Sequence, residues 1–133
     1  MNAEKSKKTI LIVDDDIDFL TQMKINLENA GYHTITAEGQ QQAEEILKTT
    51  HPDLALVDLM MEHFDGGFSL AYHIKKKDEN IPVIIATAVT SETGLEFDAA
   101  TNEERSWIKA DAFLAKPIRF EQLLQEIKKL LRE

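Results

Sequence analysis

Short apolar runs alternate with longer amphipathic stretches from residue 9 to the end of the chain. The short runs, such as TILIV and LALV, are continuously apolar, which predicts buried strands. The predicted strands span residues 9–13, 32–37, 54–57, 83–86 and 112–115. In the longer stretches, apolar side chains recur every three or four positions, which predicts helices with one buried face. These helices are predicted over residues 16–30, 40–50, 68–77 and 120–132.

Residues that favour turns and helix ends separate these elements. Asp16 is predicted to cap the first helix through its side chain, and Gly31 is predicted to end it. Pro52 stops the second helix, and the Asp-Gly-Gly sequence at 65–67 predicts a turn before the third. These boundaries support a regular alternation of strand and helix along the chain.

That alternation predicts the α/β class. Continuous apolar strands covered by helices on both faces are typical of parallel sheets. Five of them predict a flavodoxin-like, doubly wound five-stranded parallel sheet with the strand order 2-1-3-4-5. We expect residues 1–8 to form a flexible basic tail and residues 9–133 to form one domain. Because such sheets bind ligands beyond the carboxyl ends of their strands, the residues at those ends are the candidates for function.

The composition excludes several classes of protein. The chain has 133 residues, which suits one domain, and it has no cysteine for a disulfide or a thiolate metal site. No apolar run approaches the ~20 residues of a membrane helix, and the N-terminus lacks the apolar core of a signal peptide, so we expect a cytoplasmic protein that does not enter a membrane. The net charge of −9 disfavours nucleic-acid binding by the domain itself, because phosphate contacts require a basic surface.

Polar residues with distinct chemistry follow four of the predicted strands. Asp14 and Asp15 follow the first strand, Asp58 the third, Thr87 the fourth and Lys116 the fifth. Three carboxylates at one edge of a sheet require a cation, and hard oxygen ligands suit Mg²⁺. A lysine ammonium and a threonine hydroxyl can donate to phosphoryl oxygens, and a carboxylate can accept a phosphoryl group covalently. The set therefore predicts formation of an acyl phosphate on an aspartate.

Four segments carry a resemblance to a known family: ILIVDDD, DLALVDLMM followed by DGG, PVIIATA, and KADAFLAKPI. Together they resemble the receiver domains of response regulators, over essentially the whole chain after the lysine-rich tail. The resemblance implies an acidic pair, a phosphorylated aspartate, a switch hydroxyl, a switch aromatic residue and a functional lysine. These are, in that order, Asp14 with Asp15, Asp58, Thr87, Phe113 and Lys116.

The same resemblance implies a cofactor, partners and an output. Mg²⁺, or alternatively Mn²⁺, would be bound directly by Asp15, Asp58 and the carbonyl of Met60, with Asp14 acting mainly through water. The peptide bond between Lys116 and the proline after it would be cis. The phosphoryl donor would be a histidine kinase or a histidine phosphotransfer protein. The domain would not be an enzyme beyond its own phosphorylation and slow dephosphorylation, and it would signal through the surface of the fourth helix, fifth strand and fifth helix.

The sequence departs from the family pattern in two places. Glu62 stands where the family usually has a proline, and the stretch between Thr87 and Lys116 is longer than usual, which predicts an enlarged fourth loop or helix. In addition, Met60 and Val89 occupy the positions that in the family border the path of the attacking water. Both are apolar, so neither can orient that water, which predicts a long-lived phosphorylated state.

Two alternative functions remain open from the residues. Asp14 and Asp16 after a buried strand are also similar to the start of haloacid-dehalogenase-type phosphatases, with Asp14 as the nucleophile and Asp16 as the acid. That family needs a further acidic pair on a strand beyond the lysine, where this chain has only the last predicted helix. The second alternative is a degenerate receiver that serves only as an interaction module, which the presence of every expected site residue disfavours.

Overall fold

The computed structural model describes residues 7–59, 66–87 and 110–133, and only the backbone of residues 66–68. Five strands and four helices lie within these ranges, and we label them in chain order. The strands are β1 (Thr9–Val13), β2 (His33–Ala37), β3 (Leu54–Asp58), β4 (Val83–Thr87) and β5 (Ala112–Ala115). The helices are α1 (Ile17–Asn29), α2 (Gln40–Thr49), α3 (Gly66–Lys77) and α4 (Phe120–Leu131). In the described residues no helix has both the length and the apolar character needed to cross a membrane.

The strands form one parallel sheet in the order β2-β1-β3-β4-β5. This is the predicted flavodoxin-like order, so the prediction of fold class is confirmed. Because the sheet is parallel, the carboxyl ends of β1, β3, β4 and β5 lie along the same edge. All positions of β3 and β4 are buried, as expected for the central strands of a sheet covered on both faces.

Two hydrophobic clusters fill the space above and below the sheet. Alternate strand residues enter different clusters because successive side chains of a strand point to opposite faces. Leu11, Val57 and Ile85 pack with α2 and α3, whereas Ile12 and Leu56 pack with α1 and α4. The strands are therefore fixed from both sides, which holds the functional edge of the sheet in place.

The predicted element boundaries are mostly correct, with one clear error. Asp16 caps α1, since its side chain accepts from the amides of Asp18 and Phe19, and Gly31 follows the helix with a φ of 100°. The predicted turn at 65–67 is wrong for Gly66 and Gly67, which already belong to α3. Glycine lowers helix propensity, but the packing of the apolar face of α3 against the sheet outweighs that preference.

Two aspartates extend the strand pairing at the opposite edge of the sheet. The Asp53 amide donates to the Thr9 carbonyl at 2.8 Å, and the Thr9 amide donates to Asp53 Oδ2 at 2.7 Å. Asp111 repeats the pattern with Val83, at 2.8 Å for both bonds. Lys75 Nζ also donates to Asp111 Oδ2 at 2.7 Å. Each aspartate stands directly before a strand, and its side chain satisfies an amide that would otherwise lack a partner in the ladder.

Candidate functional site

The register of the sheet brings the predicted site residues together. Val13 pairs with Val57, so Asp14, which directly follows β1, and Asp58, the last residue of β3, emerge side by side. Asp58 in turn pairs with Ala86 of β4. Thr87 is the last residue of β4 and pairs with Ala115, directly before Lys116. The strand order alone therefore collects one acidic pair, a third carboxylate, a hydroxyl and an ammonium at one edge.

Asp14 is almost fully buried, with 1% of its surface exposed, and its carboxylate is held from two sides. Its backbone amide donates to the Ala37 carbonyl at 3.1 Å, which continues the pairing of β1 with β2. Asp14 Oδ1 accepts from the amide of Asp16 at 2.9 Å, and Oδ2 accepts from Lys116 Nζ at 2.9 Å. Both oxygens thus have a donor, which fixes the orientation of this carboxylate.

Lys116 joins two of the carboxylates. Its ammonium lies 2.9 Å from Asp14 Oδ2 and 3.1 Å from Asp58 Oδ1. Burial would lower the pKa of Lys116, but the hydrogen bonds and charges of Asp14 and Asp58 together outweigh it and raise the pKa. The backbone amide of Lys116 donates to the Thr87 carbonyl at 2.8 Å. The peptide bond to Pro117 is cis, as the resemblance implied.

The surroundings of Asp58 disfavour the ionised form of its carboxyl group. Only 6% of its surface is exposed, and burial raises the pKa of its carboxyl above the ordinary value of 3.8. The negative charge of Asp14 adds to that increase, as does that of Asp15 to a smaller extent, while Lys116 opposes it. Among the described residues, the positive charge of Lys116 does not offset the burial of Asp58 and its carboxylate neighbours, an imbalance that a metal ion or further cation would relieve.

The carboxylates of Asp14, Asp15 and Asp58 can each offer one oxygen, and these oxygens lie within 4.8 Å of one another. Asp15 is exposed, whereas the other two are buried, so the cluster opens toward solvent on the side of Asp15. Within the described part of the chain, the three carboxylates of this group lie beside one ammonium, that of Lys116. Hard oxygen donors and an excess of negative charge are what a divalent cation such as Mg²⁺ requires, so the residues present fit a metal site.

The remaining predicted residues have mixed outcomes. Thr87 is buried at the end of β4. Phe113 is partly buried and packs against the cluster formed with α2 and α3. Met60, Val89 and the longer stretch between Thr87 and Lys116 lie wholly or largely outside the described residues, so their predicted roles stay predictions.

Phe19 contacts the site but was not predicted as a site residue. Its ring centroid lies 5.1 Å from Lys116 Nζ, within the range of a cation–π contact. From the sequence, Phe19 is only one of the apolar residues on the inner face of α1. An aromatic residue in the first turn of the helix that follows the acidic pair was the one signal that could have identified it.

Curated relatives match nearly the whole chain. The response regulator receiver domain family matches residues 10–128. The phosphate regulon transcriptional regulatory protein PhoB of Pseudomonas aeruginosa is 34% identical over 131 residues, covering 94% of this chain and 52% of that protein. The alkaline phosphatase synthesis transcriptional regulatory protein PhoP of Bacillus subtilis is 30% identical over 125 residues, covering 94% and 49%. The chain spans about half the length of the curated relatives it matches.

Solved structures agree with these matches. A CheY-like response regulator receiver domain protein from Methanospirillum hungatei superposes with a TM-score of 0.79 at 28% identity, covering 96% of this chain and 95% of that one. The response regulator TrrA of Thermotoga maritima, solved in complex with Mg²⁺ and beryllium fluoride, gives a TM-score of 0.75 at 28% identity, with coverage of 92% and 98%.

The fold and the site define a signalling domain built around a cluster of carboxylates and a lysine. The chain belongs to the response regulator receiver domain family and is a receiver domain of the two-component type. The predicted family and general function are thereby confirmed.

Proposed function

We propose that Asp58 accepts a phosphoryl group from a phosphohistidine of a histidine kinase or a histidine phosphotransfer protein. The observation that carries this proposal is the position of Lys116 Nζ between Asp14 and Asp58, beside a cluster of three carboxylates. An oxygen of Asp58 would attack the phosphorus, and the bond from phosphorus to the histidine nitrogen would break. The nitrogen would leave with the bonding electron pair and take up a proton from solvent. The product is an aspartyl phosphate.

The contacts of the neighbouring carboxylates support the choice of Asp58. Both oxygens of Asp14 already accept hydrogen bonds, from Asp16 and Lys116, which suits a positioning role rather than that of a nucleophile. Asp16 is occupied as the cap of α1, accepting from the amides of Asp18 and Phe19. The phosphatase alternative needs Asp14 as nucleophile and Asp16 as acid, so these contacts disfavour it.

We assign roles to the other groups by their chemistry. Asp14, Asp15, Asp58 and the Met60 carbonyl would hold Mg²⁺, with Mn²⁺ as the alternative ion. When bound, the ion supplies positive charge for the equatorial oxygens of the transferred group. Lys116 would exchange its bond to Asp58 for one to a phosphoryl oxygen, staying anchored through Asp14.

The output follows from the same edge of the sheet. Thr87 would donate a hydrogen bond from its hydroxyl to a phosphoryl oxygen, and Phe113 would turn inward as Thr87 moves. Phe113 suits this movement because its ring has no hydroxyl to leave unpaired when buried. This change would alter the surface made by β5, α4 and the segment between Thr87 and β5. The domain would act in the cytoplasm through a protein partner, and its charge of −9 supports the absence of direct nucleic-acid contacts.

Labelling with acetyl phosphate and Mg²⁺, measured by intact mass, tests the assignment. Wild type is expected to gain one phosphoryl group and Asp58→Asn none, since the amide oxygen is a poor nucleophile. Asp53→Asn, an aspartate at the opposite edge of the sheet, is the matched control and should label like wild type. Stoichiometric labelling of the Asp58→Asn protein would refute the assignment. Turnover of a generic phosphomonoester by wild type would instead support the phosphatase alternative.

Slow loss of the phosphoryl group is the second part of the proposal. Met60 and Val89 stand two residues after Asp58 and Thr87, and neither side chain can orient a water molecule by hydrogen bonding. Loss of phosphate from the labelled protein in Mg²⁺ buffer is expected to be faster in a Met60→Asn, Val89→Glu double variant. An unchanged rate would contradict this explanation of a long-lived state.

A further inference from the structure

We infer that Phe19 is a positioning residue for Lys116, which it holds in place by a cation–π contact while the ammonium changes partners. The inference rests on the proposed role of Lys116 as the group that receives the phosphoryl oxygens. The distance of 5.1 Å from Nζ to the ring centroid is the direct observation. Phe19 packs, partly buried, against the core cluster formed with α1 and α4, so its ring has a fixed support.

The contact between Phe19 and Lys116 completes a closed chain of interactions at the carboxyl ends of the strands. Lys116 Nζ donates to Asp14 Oδ2 at 2.9 Å, and Asp14 Oδ1 accepts from the Asp16 amide at 2.9 Å. Asp16 Oδ1 accepts from the amide of Phe19 at 3.2 Å. The ring of Phe19 then lies against Lys116. The cap of α1 therefore sets the position of the Phe19 backbone relative to the same carboxylate that anchors the lysine.

Lys116 needs such a support because of its own chemistry. Its side chain has four rotatable carbon–carbon bonds and is 25% exposed, so solvent competes for the ammonium. In the proposed reaction the bond to Asp58 Oδ1 is given up, because the Asp58 carboxylate loses its negative charge when it forms the bond to phosphorus. Asp14 remains as one ionic anchor. A ring beside the ammonium restricts its motion without competing as a hydrogen-bond acceptor, so the donors stay available for phosphoryl oxygens.

The test asks whether position 19 needs an aromatic ring or only an apolar side chain. Phe19→Leu removes the π face and keeps an apolar side chain, whereas Phe19→Tyr keeps the face. We expect Phe19→Leu to slow labelling by acetyl phosphate about two- to fivefold, the loss that corresponds to a cation–π contact at a solvent-accessible site. Phe19→Tyr is expected to restore the wild-type rate. Phe120→Leu, the same change at another partly buried phenylalanine of this cluster, is the matched control and should leave the rate unchanged.

A double-mutant cycle with Lys116→Met separates positioning from packing. In the Lys116→Met background, Phe19→Leu should have no further effect on the rate of labelling or on beryllofluoride affinity. Mg²⁺ affinity, which depends on the carboxylates, should be the same in wild type and Phe19→Leu. Each variant is checked by urea unfolding, so that loss of fold is distinguished from loss of rate.

The outcomes discriminate this inference from the proposed function. If wild type is labelled on Asp58 and Phe19→Leu is labelled at the same rate, the positioning role is wrong and the phosphoacceptor proposal stands. An equal effect of Phe19→Leu with and without Lys116 would also overturn the positioning role, because it would show a general packing effect. If wild type is not labelled at Asp58, the proposed function itself fails.

Discussion

Removing the charge of Asp58 should stabilise the fold in the absence of a metal ion. At an effective dielectric constant of about 20, Lys116 at 3.1 Å attracts the Asp58 carboxylate by about 5 kcal/mol. Oxygens within 4.8 Å of one another on Asp14 and Asp58 repel by about 3.5 kcal/mol or more. Asp15 adds a weaker, solvent-screened repulsion, and burial adds a desolvation cost. The raised pKa of Asp58 shows that the unfavourable contributions exceed the attraction.

The Asp58→Asn variant should therefore be more stable than wild type at neutral pH. An asparagine keeps an oxygen that can accept from Lys116, while the repulsion and most of the desolvation cost disappear. We expect a gain of about 1–2 kcal/mol, or a rise in Tm of about 3–8 °C for a domain of this size. The variant is expected to lose phosphorylation at the same time, so that stability and function change in opposite directions.

The pH dependence has a definite sign. Because the folded-state pKa of Asp58 is raised, the folded protein favours the protonated carboxyl, and ionisation removes stability as the pH rises above the ordinary value of 3.8. Wild type and Asp58→Asn should thus converge in stability below that pH and separate above it. Saturating Mg²⁺ should reduce the difference at neutral pH, since it binds the folded wild type more tightly.

Urea unfolding in chelator and in Mg²⁺, at neutral and acidic pH, measures all of these quantities. Asp53→Asn serves as the control, because the carboxylate of Asp53 accepts from the backbone amide of Thr9, so its neutralisation should not stabilise the fold. A variant at position 58 that is less stable than wild type at neutral pH without Mg²⁺ would refute the reasoning. So would a gain that is the same with and without the ion.

Three further predictions concern the rest of the fold. Burial, followed by the hydrogen bond to the side-chain carboxylate of Glu133, raises the pKa of Tyr32 to about 12. Its contribution to stability should be complete below about pH 10 and lost as the pH rises through about 12. Tyrosinate absorbance in a Tyr72→Phe background measures this, and ionisation near pH 10 would contradict it. Asp111→Ala should cost more than Asp53→Ala in denaturant unfolding, about 2–3 against 1–2 kcal/mol, because it removes the acceptor of a strand amide and also the charged acceptor of Lys75, which keeps only the Glu79 carbonyl. Equal losses would argue against this count of bonds. Gly31→Ala should cost about 1 kcal/mol through backbone strain alone, since φ is 100° and no atom lies within 4 Å of an added Cβ; an unchanged midpoint of unfolding would show that the turn relaxes.

Much of the architecture was accessible from local sequence patterns. Continuous apolar strands alternating with amphipathic helices predicted the parallel sheet and its order, and the cap at Asp16 was predicted from residue type alone. Prediction from local sequence pattern was wrong where tertiary packing determined the secondary structure. Gly66 and Gly67 have turn propensity, yet they belong to the first turn of α3, because tertiary contacts of that helix outweigh a preference of about 1 kcal/mol per glycine.

The candidate site divides in the same way. The residue types at the strand ends, together with parallel topology, were sufficient to place Asp14, Asp58 and Lys116 at one edge. Their contacts could not be obtained from the chain, because residues 102 positions apart become partners only when β1 and β5 are fixed in one sheet. The tertiary structure alone decided that the lysine bridges two carboxylates and lies against the ring of Phe19. The distance between Lys116 and the Phe19 ring depends on how α1 packs against the sheet. The sequence around an apolar helix residue does not indicate which charged group that residue will contact in the folded protein.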